Sequence, residues 1–213
     1  MKVKKLSKTE REKMKTDLCR ILTKIGALKF GAFKLAGGKI SPYYIDLRIV
    51  PSFPEAYQKV SDFYINLIKQ DVGTDSFERV AGVPTAGMAF ASVIAYHLKK
   101  PFLYSRQQTK AHGRGRRVEG IIMPGDRILL ADDLVTSGQS LRKAASAIRA
   151  EGGVINDAVV LVDREEGGNE NLAKDKINLH YLLKVSEAAN KLYEIGTITE
   201  EEYKMITKQV KKK

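Results

Sequence analysis

Two adjacent carboxylates, Asp132 and Asp133, stand between an apolar run at 128–131 and a loop of hydroxyls and glycine, Thr136-Ser-Gly-Gln-Ser140. A helix-forming run follows at 141–149. A buried strand, a loop and a helix N-terminus together make an anion site, because free backbone N–H groups and the helix dipole both point at the loop. Gly138 lets the backbone approach a ligand closely, and the hydroxyls donate to phosphate oxygens. The paired acids would repel a bare phosphate. They fit a ligand that also carries sugar hydroxyls or a chelated metal. The same residues also fit a capped helix start after a buried strand, with the acids as cap residues.

Two other phosphate motifs are absent. No G-x-x-x-x-G-K-[ST] run occurs. Gly113 and Gly115 sit in a basic loop and not at a strand–helix turn, so they make no dinucleotide fingerprint. That loop, 104–120, carries Arg106, Lys110, His112, Arg114, Arg116 and Arg117. A charge run is ordinarily a solvated face. Here it lies one strand before the acid pair in a strand–helix order, at the carboxyl edge where ligands bind in open α/β sheets. Arg164 stands beside Glu165 and Glu166. It reads as a surface ion pair or, after a core strand, as a bidentate partner for a carboxylate.

The elements that must position these groups follow from periodicity. Residues 7–25 read as an amphipathic helix, with Ser7 and Glu10 at capping-box spacing and Leu18, Ile21, Leu22 and Ile25 on one face. Residues 30–49 read as two short strands turning at Gly37-Gly38. Pro51 and Pro54 mark a boundary before a second amphipathic helix at 55–70. Strands are expected at 79–83, 101–104, 127–131, 154–163 and 179–185, with helices at 86–99 and 139–150. Strands alternating with helices imply parallel βαβ units with right-handed crossovers. Residues 186–210 read as two helices joined at Gly196-Thr197, and Thr199 with Glu202 repeats the capping-box spacing. The expected fold is α/β: a Rossmann-like parallel sheet core flanked by helices, with a small N-terminal hood subdomain. One domain is expected over 1–213, made of helix and hood at 1–52, an α/β core at 53–186 and a helical extension at 187–213.

Composition agrees. The chain has 213 residues, 43% hydrophobic and 29% charged, with a net charge of +12. This is an ordinary globular balance, and no apolar run approaches the roughly 20 residues needed to span a bilayer. The basic N-terminus lacks the apolar core of a signal peptide. The single cysteine, Cys19, excludes an internal disulfide framework and fits a cytoplasmic protein. It lies in an amphipathic helix and reads as a packed thiol. Part of the positive charge sits in the two termini. The rest calls for an anionic partner: nucleic acid, a membrane surface or a highly anionic small substrate.

The 128–140 stretch resembles the phosphoribosyl-pyrophosphate loop of type I phosphoribosyltransferases: apolar strand, two acids, two apolar residues, then a Thr/Ser-rich glycine loop. Further motifs narrow the resemblance to orotate phosphoribosyltransferases. Phe33, Leu35, Gly38, Ser41, Pro42 and Tyr43 match that family's hood pattern. Gly37 replaces the usual serine, and Ala36 stands where many bacterial members have a lysine. Arg106, Lys110, His112 and Gly113 match its catalytic loop, with Gln107 departing from a basic position. Gly82-Val-Pro-Thr-Ala-Gly87 resembles its pyrophosphate loop, with Thr85 and Ala86 less polar than bacterial counterparts. Asp163-Arg-Glu-Glu-Gly167 resembles its D-R-x-E-G segment.

The resemblance covers roughly 15–186. It implies transfer of a phosphoribosyl group to orotate, with Lys110, His112, Asp132 and Asp133 in catalytic roles. It implies donor binding by Arg106, Gln107, Lys110, His112, Asp132, Asp133, Leu134, Val135, Thr136, Ser137, Gly138, Gln139 and Ser140. Orotate contacts would come from Thr136, Arg164 and Tyr44. Mg²⁺ is the implied cofactor, held mainly through the donor and not by a dedicated protein site. A homodimer sharing the active-site loop is implied, and neither a membrane nor nucleic acid is the expected partner. Two other readings stay open here: a phosphoribosyltransferase for another base, and a non-catalytic donor-sensing regulator that binds nucleic acid.

Overall fold

The computed structural model describes residues 7–34, 38, 40–106 and 117–211. Helix α1 (Lys8–Lys24) opens on the expected capping box: the Ser7 side chain accepts from Glu10 N–H at 3.2 Å, and Glu10 accepts from Ser7 N–H at 2.7 Å. Its face of Leu18, Cys19 and Leu22 is buried. The Cys19 thiol is pushed up to about 12 by that burial, as a packed, unreactive sulfur should be. Strands β1 (Leu28–Lys34) and β2 (Ile40–Ile45) pair antiparallel as the hood, with a register irregularity between Phe30 and Phe33. A 3₁₀ turn (Leu47–Ser52) contains Pro51, and Pro54 occupies the first turn of α2 (Pro54–Leu67).

The α/β core follows: β3 (Arg79–Gly82), α3 (Ala86–Leu98), β4 (Phe102–Ser105), β5 (Val118–Glu119), β6 (Ile128–Ala131), β7 (Leu134–Val135), α4 (Gln139–Ala150), β8 (Asp157–Asp163), α5 (Gly168–Lys174) and β9 (Asn178–Lys184). β3 pairs in parallel with β4 and β6; β8 pairs in parallel with β6, β7 and β9. Among the described strands of this sheet, β5 alone runs antiparallel, on the edge beside β4. Residues on one strand alternate between two cores. Leu129 and Ala131 pack with α1, α2 and α3 on one face; Ile128 and Leu130 pack with α4 on the other. Burial on both faces explains why these strands read as unbroken apolar runs.

The α4 boundaries match the expectation, since Leu141, Ala144, Ala145 and Ile148 make a clear helical stripe. β8 begins at Asp157 and not at 154, because Val154 makes only an isolated bridge to Arg127. Helices α6 (Val185–Glu194) and α7 (Glu200–Lys211) close the chain, with Thr199 and Glu202 forming the second capping box. They are part of the main core: Leu192, Ile198 and Ile206 are buried with Leu18 and Leu22. α6 packs on α1, and α7 packs on β2 of the hood. Among the described residues no helix is long and apolar enough to cross a membrane.

Candidate active site

The acid pair sits in a break of the strand line and not beyond its end. β6 and β7 lie along the same edge of β8: Asp132 N–H donates to Val159 O, and Leu161 N–H donates to Asp133 O. The strand line therefore continues through Leu134 and Val135 before the hydroxyl loop begins. Val135 is buried, so only its main chain is available to a ligand.

Asp132 is 7% exposed. Its Oδ1 accepts from Asp133 N–H at 2.9 Å, and Asp133 Oδ1 accepts from Leu134 N–H at 2.8 Å. Beneath them the buried Tyr64 hydroxyl donates to Asp132 O at 2.6 Å. Burial pushes the Asp132 carboxyl well above the usual range, and the neighbouring Asp133 adds to the shift. Burial also raises Asp133. Two like charges this close and this dry cannot both ionise cheaply without a partner. Hydroxyl donors or a cation in the cleft would supply one.

Asp132, Asp133, Thr136, Ser137, Gly138, Gln139 and Ser140 line a cleft of about 370 Å³, with Pro84, Thr85, Ala86 and Arg48 on its other wall. Two helices start at this cleft, α3 at Ala86 and α4 at Gln139. Their free N–H groups and dipoles favour anions there. Gly138 holds φ +77°, a left-handed conformation that glycine adopts without cost, and so delivers the loop into α4. Asn171 of α5 donates to Ser137 O at 3.1 Å and ties the loop from behind.

Arg164 and its neighbours stand next to this cleft. Arg164 N–H donates to Val135 O at 3.0 Å, which fixes Arg164 beside the start of the hydroxyl loop. Its side chain is 13% exposed and paired with Glu166 at 3.2 Å. The guanidinium also lies over the Tyr43 ring, 5.2 Å from the centroid. Tyr43 is buried; Tyr44, on the opposite face of β2, turns its hydroxyl to Asp46 and Arg48. The aromatic brought against Arg164 is therefore Tyr43, while Tyr44 stands with Arg48.

Arg106 pairs with Glu119 and lines a neighbouring basic cleft with Arg117 and Lys143. Gln107, Lys110, His112, Gly113, Arg114 and Arg116 lie outside the described residues, as do Leu35, Ala36 and Gly37. The structure adds three groups that sequence reasoning gave no role: Arg48, Tyr64 and Asn171. Of these, Arg48 carried a usable signal, a charge two residues after Asp46 in an otherwise apolar 45–50 run.

A family model described as the phosphoribosyl transferase domain matches residues 52–188. The orotate phosphoribosyltransferase of Cenarchaeum symbiosum (strain A) is 43% identical over 173 residues, 81% of this chain and 86% of that one. That of Sulfolobus acidocaldarius is 38% identical over 90% of this chain and 94% of its own. The crystal structure of orotate phosphoribosyltransferase from Aeropyrum pernix matches with a TM-score of 0.71 at 32% identity, covering 84% of this chain and 99% of that chain. Leishmania donovani UMP synthase matches with a TM-score of 0.82 at 28% identity, over 93% of this chain and 42% of that longer one. Identity sustained over this much of both chains goes beyond a shared sheet topology, and the chain belongs to the orotate phosphoribosyltransferase family.

Proposed function

We propose that this chain transfers the phosphoribosyl group of 5-phosphoribosyl 1-pyrophosphate to orotate, giving orotidine 5′-monophosphate and pyrophosphate in pyrimidine biosynthesis. The observation that carries the reading is the cleft itself: a buried acid pair continuous with a hydroxyl loop at a helix N-terminus. One ligand needs both, a sugar whose hydroxyls meet carboxylates and whose phosphate meets backbone N–H groups. In this reading Thr136 to Ser140 hold the 5′-phosphate, and Asp132 and Asp133 accept from the ribose hydroxyls. Those carboxylates also favour the positive charge that builds on the ring as the anomeric C–O bond breaks and the C–N bond to the base forms.

The base is read from Arg164. A guanidinium that is already oriented by Glu166 and Tyr43 meets a carboxylate on a flat ring. Thr136 follows Val135, whose O accepts from Arg164 N–H, and lines the cleft with the acids, so its hydroxyl would meet an edge of orotate. From the family resemblance, Arg106, Gln107, Lys110 and His112 close over the pyrophosphate and exclude water. Water would otherwise hydrolyse the activated sugar. Carboxylates and hydroxyls make an all-oxygen donor set, which suits Mg²⁺. Asp132 and Asp133 would share in holding Mg²⁺ with the donor's own oxygens, and the ion would supply charge neutralisation at the leaving pyrophosphate. We read a cytoplasmic homodimer with a shared loop; the exposed Tyr96 on α3, 82% accessible, and Ile121 and Met123 are apolar surface that an interface would cover.

A panel of bases tests the proposal. With the donor and Mg²⁺ supplied, orotate should be consumed, while uracil, adenine and hypoxanthine should not. Turnover of a purine or uracil in preference to orotate would overturn the base assignment. Salt-dependent nucleic-acid binding with no turnover on any base would favour a donor-sensing regulator instead.

A further inference from the structure

Arg48 is the one lysine or arginine among the described residues that line the 370 Å³ cleft. The rest of that lining is carboxylate, hydroxyl, apolar side chain and main chain. Beside the Mg²⁺ and the 106–112 loop assigned to the pyrophosphate above, Arg48 is a fixed positive charge in the cleft that meets a donor carrying a phosphate monoester and a diphosphate.

Local structure holds Arg48 ready. Asp46 caps the 3₁₀ turn by accepting from Arg48 N–H at 3.1 Å. The same carboxylate takes Arg48 Nε at 2.7 Å and Nη2 at 2.8 Å, and Nη2 reaches the Tyr44 hydroxyl at 3.2 Å. The Arg48 side chain is nevertheless 62% exposed. An ion pair this wet contributes little to stability, so folding does not account for a three-point clamp. Nη1 makes no hydrogen bond to a described residue, which leaves one edge of the fork for a ligand.

Its position selects the ligand group. The 3₁₀ turn packs against α3, whose leading loop Pro84–Thr85–Ala86 forms the same cleft wall. Asp133 lines the same cleft. Arg48 thus shares the cleft with both the sugar-side acid and the 84–86 loop. With the 5′-phosphate on the 136–140 loop, that is the anomeric end of the sugar.

We propose that Arg48 binds the diphosphate of the donor and holds it as the leaving group. The guanidinium stays protonated throughout. The electron pair of the breaking anomeric C–O bond goes to the diphosphate oxygen, and Arg48 faces the charge that gathers there. This inference rests on the phosphoribosyl-transfer reading above.

The test is calorimetric titration of Mg²⁺-pyrophosphate, and separately of ribose 5-phosphate, into parent, Arg48→Gln, Arg48→Lys and Asp46→Asn proteins, with steady-state kinetics alongside. Losing a charge-assisted contact should weaken pyrophosphate binding by about 10-fold or more in Arg48→Gln. Ribose 5-phosphate affinity should stay within about twofold, and KM for the donor should rise while KM for orotate does not. Arg48→Lys should recover part of the loss, because it restores the charge without the planar fork. Asp46→Asn, which keeps the charge and removes the clamp, should give a smaller loss in the same direction. Unchanged pyrophosphate affinity in Arg48→Gln would overturn the proposal. So would a rise confined to the orotate KM, which would place Arg48 at the base carboxylate. If Arg48→Gln loses pyrophosphate binding but even the parent turns over no orotate, the Arg48 assignment stands and the base assignment fails.

Discussion

Gly87→Ala should damage activity far more than stability, and the size of both effects follows from the packing of α3 on the acid pair. A Cβ at position 87 would lie 2.6 Å from Ala131 O, 2.7 Å from Asp132 Oδ1 and 2.8 Å from Asp132 Cα. None of these atoms is the free end of a flexible side chain. Two belong to the main chain of the β6 line, and the third is a buried carboxylate that already accepts from Asp133 N–H. Reaching an ordinary contact of 3.4 Å from 2.6 Å requires a retreat of about 0.8 Å.

Alanine in a helix is favoured over glycine by about 1 kcal/mol at most, and less in a first turn. Overpacking of this kind costs about 1–3 kcal/mol, so the clash should win. For a chain of this length each kcal/mol lowers Tm by about 2–4 °C, giving a fall of a few degrees to about 12 °C. The catalytic penalty should be larger. A displacement near 1 Å at a reacting group costs about 100-fold in rate. Thermal melts combined with kcat at saturating donor and orotate would separate the two effects. A variant that melts with the parent and keeps its kcat would refute the argument that α3 sets the position of Asp132.

Other consequences are quicker to check. Arg164→Ala should raise KM for orotate by about 10-fold or more, in line with loss of a charge-assisted pair, and change KM for the donor far less; equal effects on both would remove Arg164 from base recognition. Lys110→Ala should lower kcat strongly while leaving the melting curve in place, since the family resemblance gives Lys110 a role at the pyrophosphate; unchanged turnover would end that role. The acid pair makes ligand-free stability depend on pH. Because the Asp132 carboxyl is raised in the folded state, its contribution is fully present below the unfolded carboxylate range near pH ~4 and is lost as pH rises through the raised value. Asp132→Asn should therefore gain stability relative to the parent as pH climbs from about 4 towards 8, while losing activity; parallel stability curves would contradict the burial argument.

Periodicity made the larger elements legible. Leu141, Ala144, Ala145 and Ile148 mark α4, and the Ser7–Glu10 and Thr199–Glu202 pairs mark the starts of α1 and α7. β5 and β7 were not legible, because strands of two residues carry no alternation and exist only through pairing with β4 and β8. α5 was hidden because it is seven residues long and opens on Gly167 with no capping side chain to mark its start. Gly168 is nevertheless required there, since a Cβ would lie 2.5 Å from Thr136 O under the hydroxyl loop. The acid pair and hydroxyl loop were visible because their chemistry is contiguous in sequence. Arg48 and Tyr43 were harder to assign. Which of two neighbouring tyrosines meets Arg164 depends on strand register, and the hairpin carries an irregularity between Phe30 and Phe33.

In the proposed reading one sugar phosphate spans the acid pair and the hydroxyl loop. A crystal structure of the chain with 5-phosphoribosyl 1-pyrophosphate and Mg²⁺ tests it most directly. The 5′-phosphate should lie within hydrogen-bond distance of the backbone N–H groups of residues 137–140, with both ribose hydroxyls on Asp132 and Asp133. A donor bound with its 5′-phosphate elsewhere, or with no hydroxyl on either carboxylate, would contradict it.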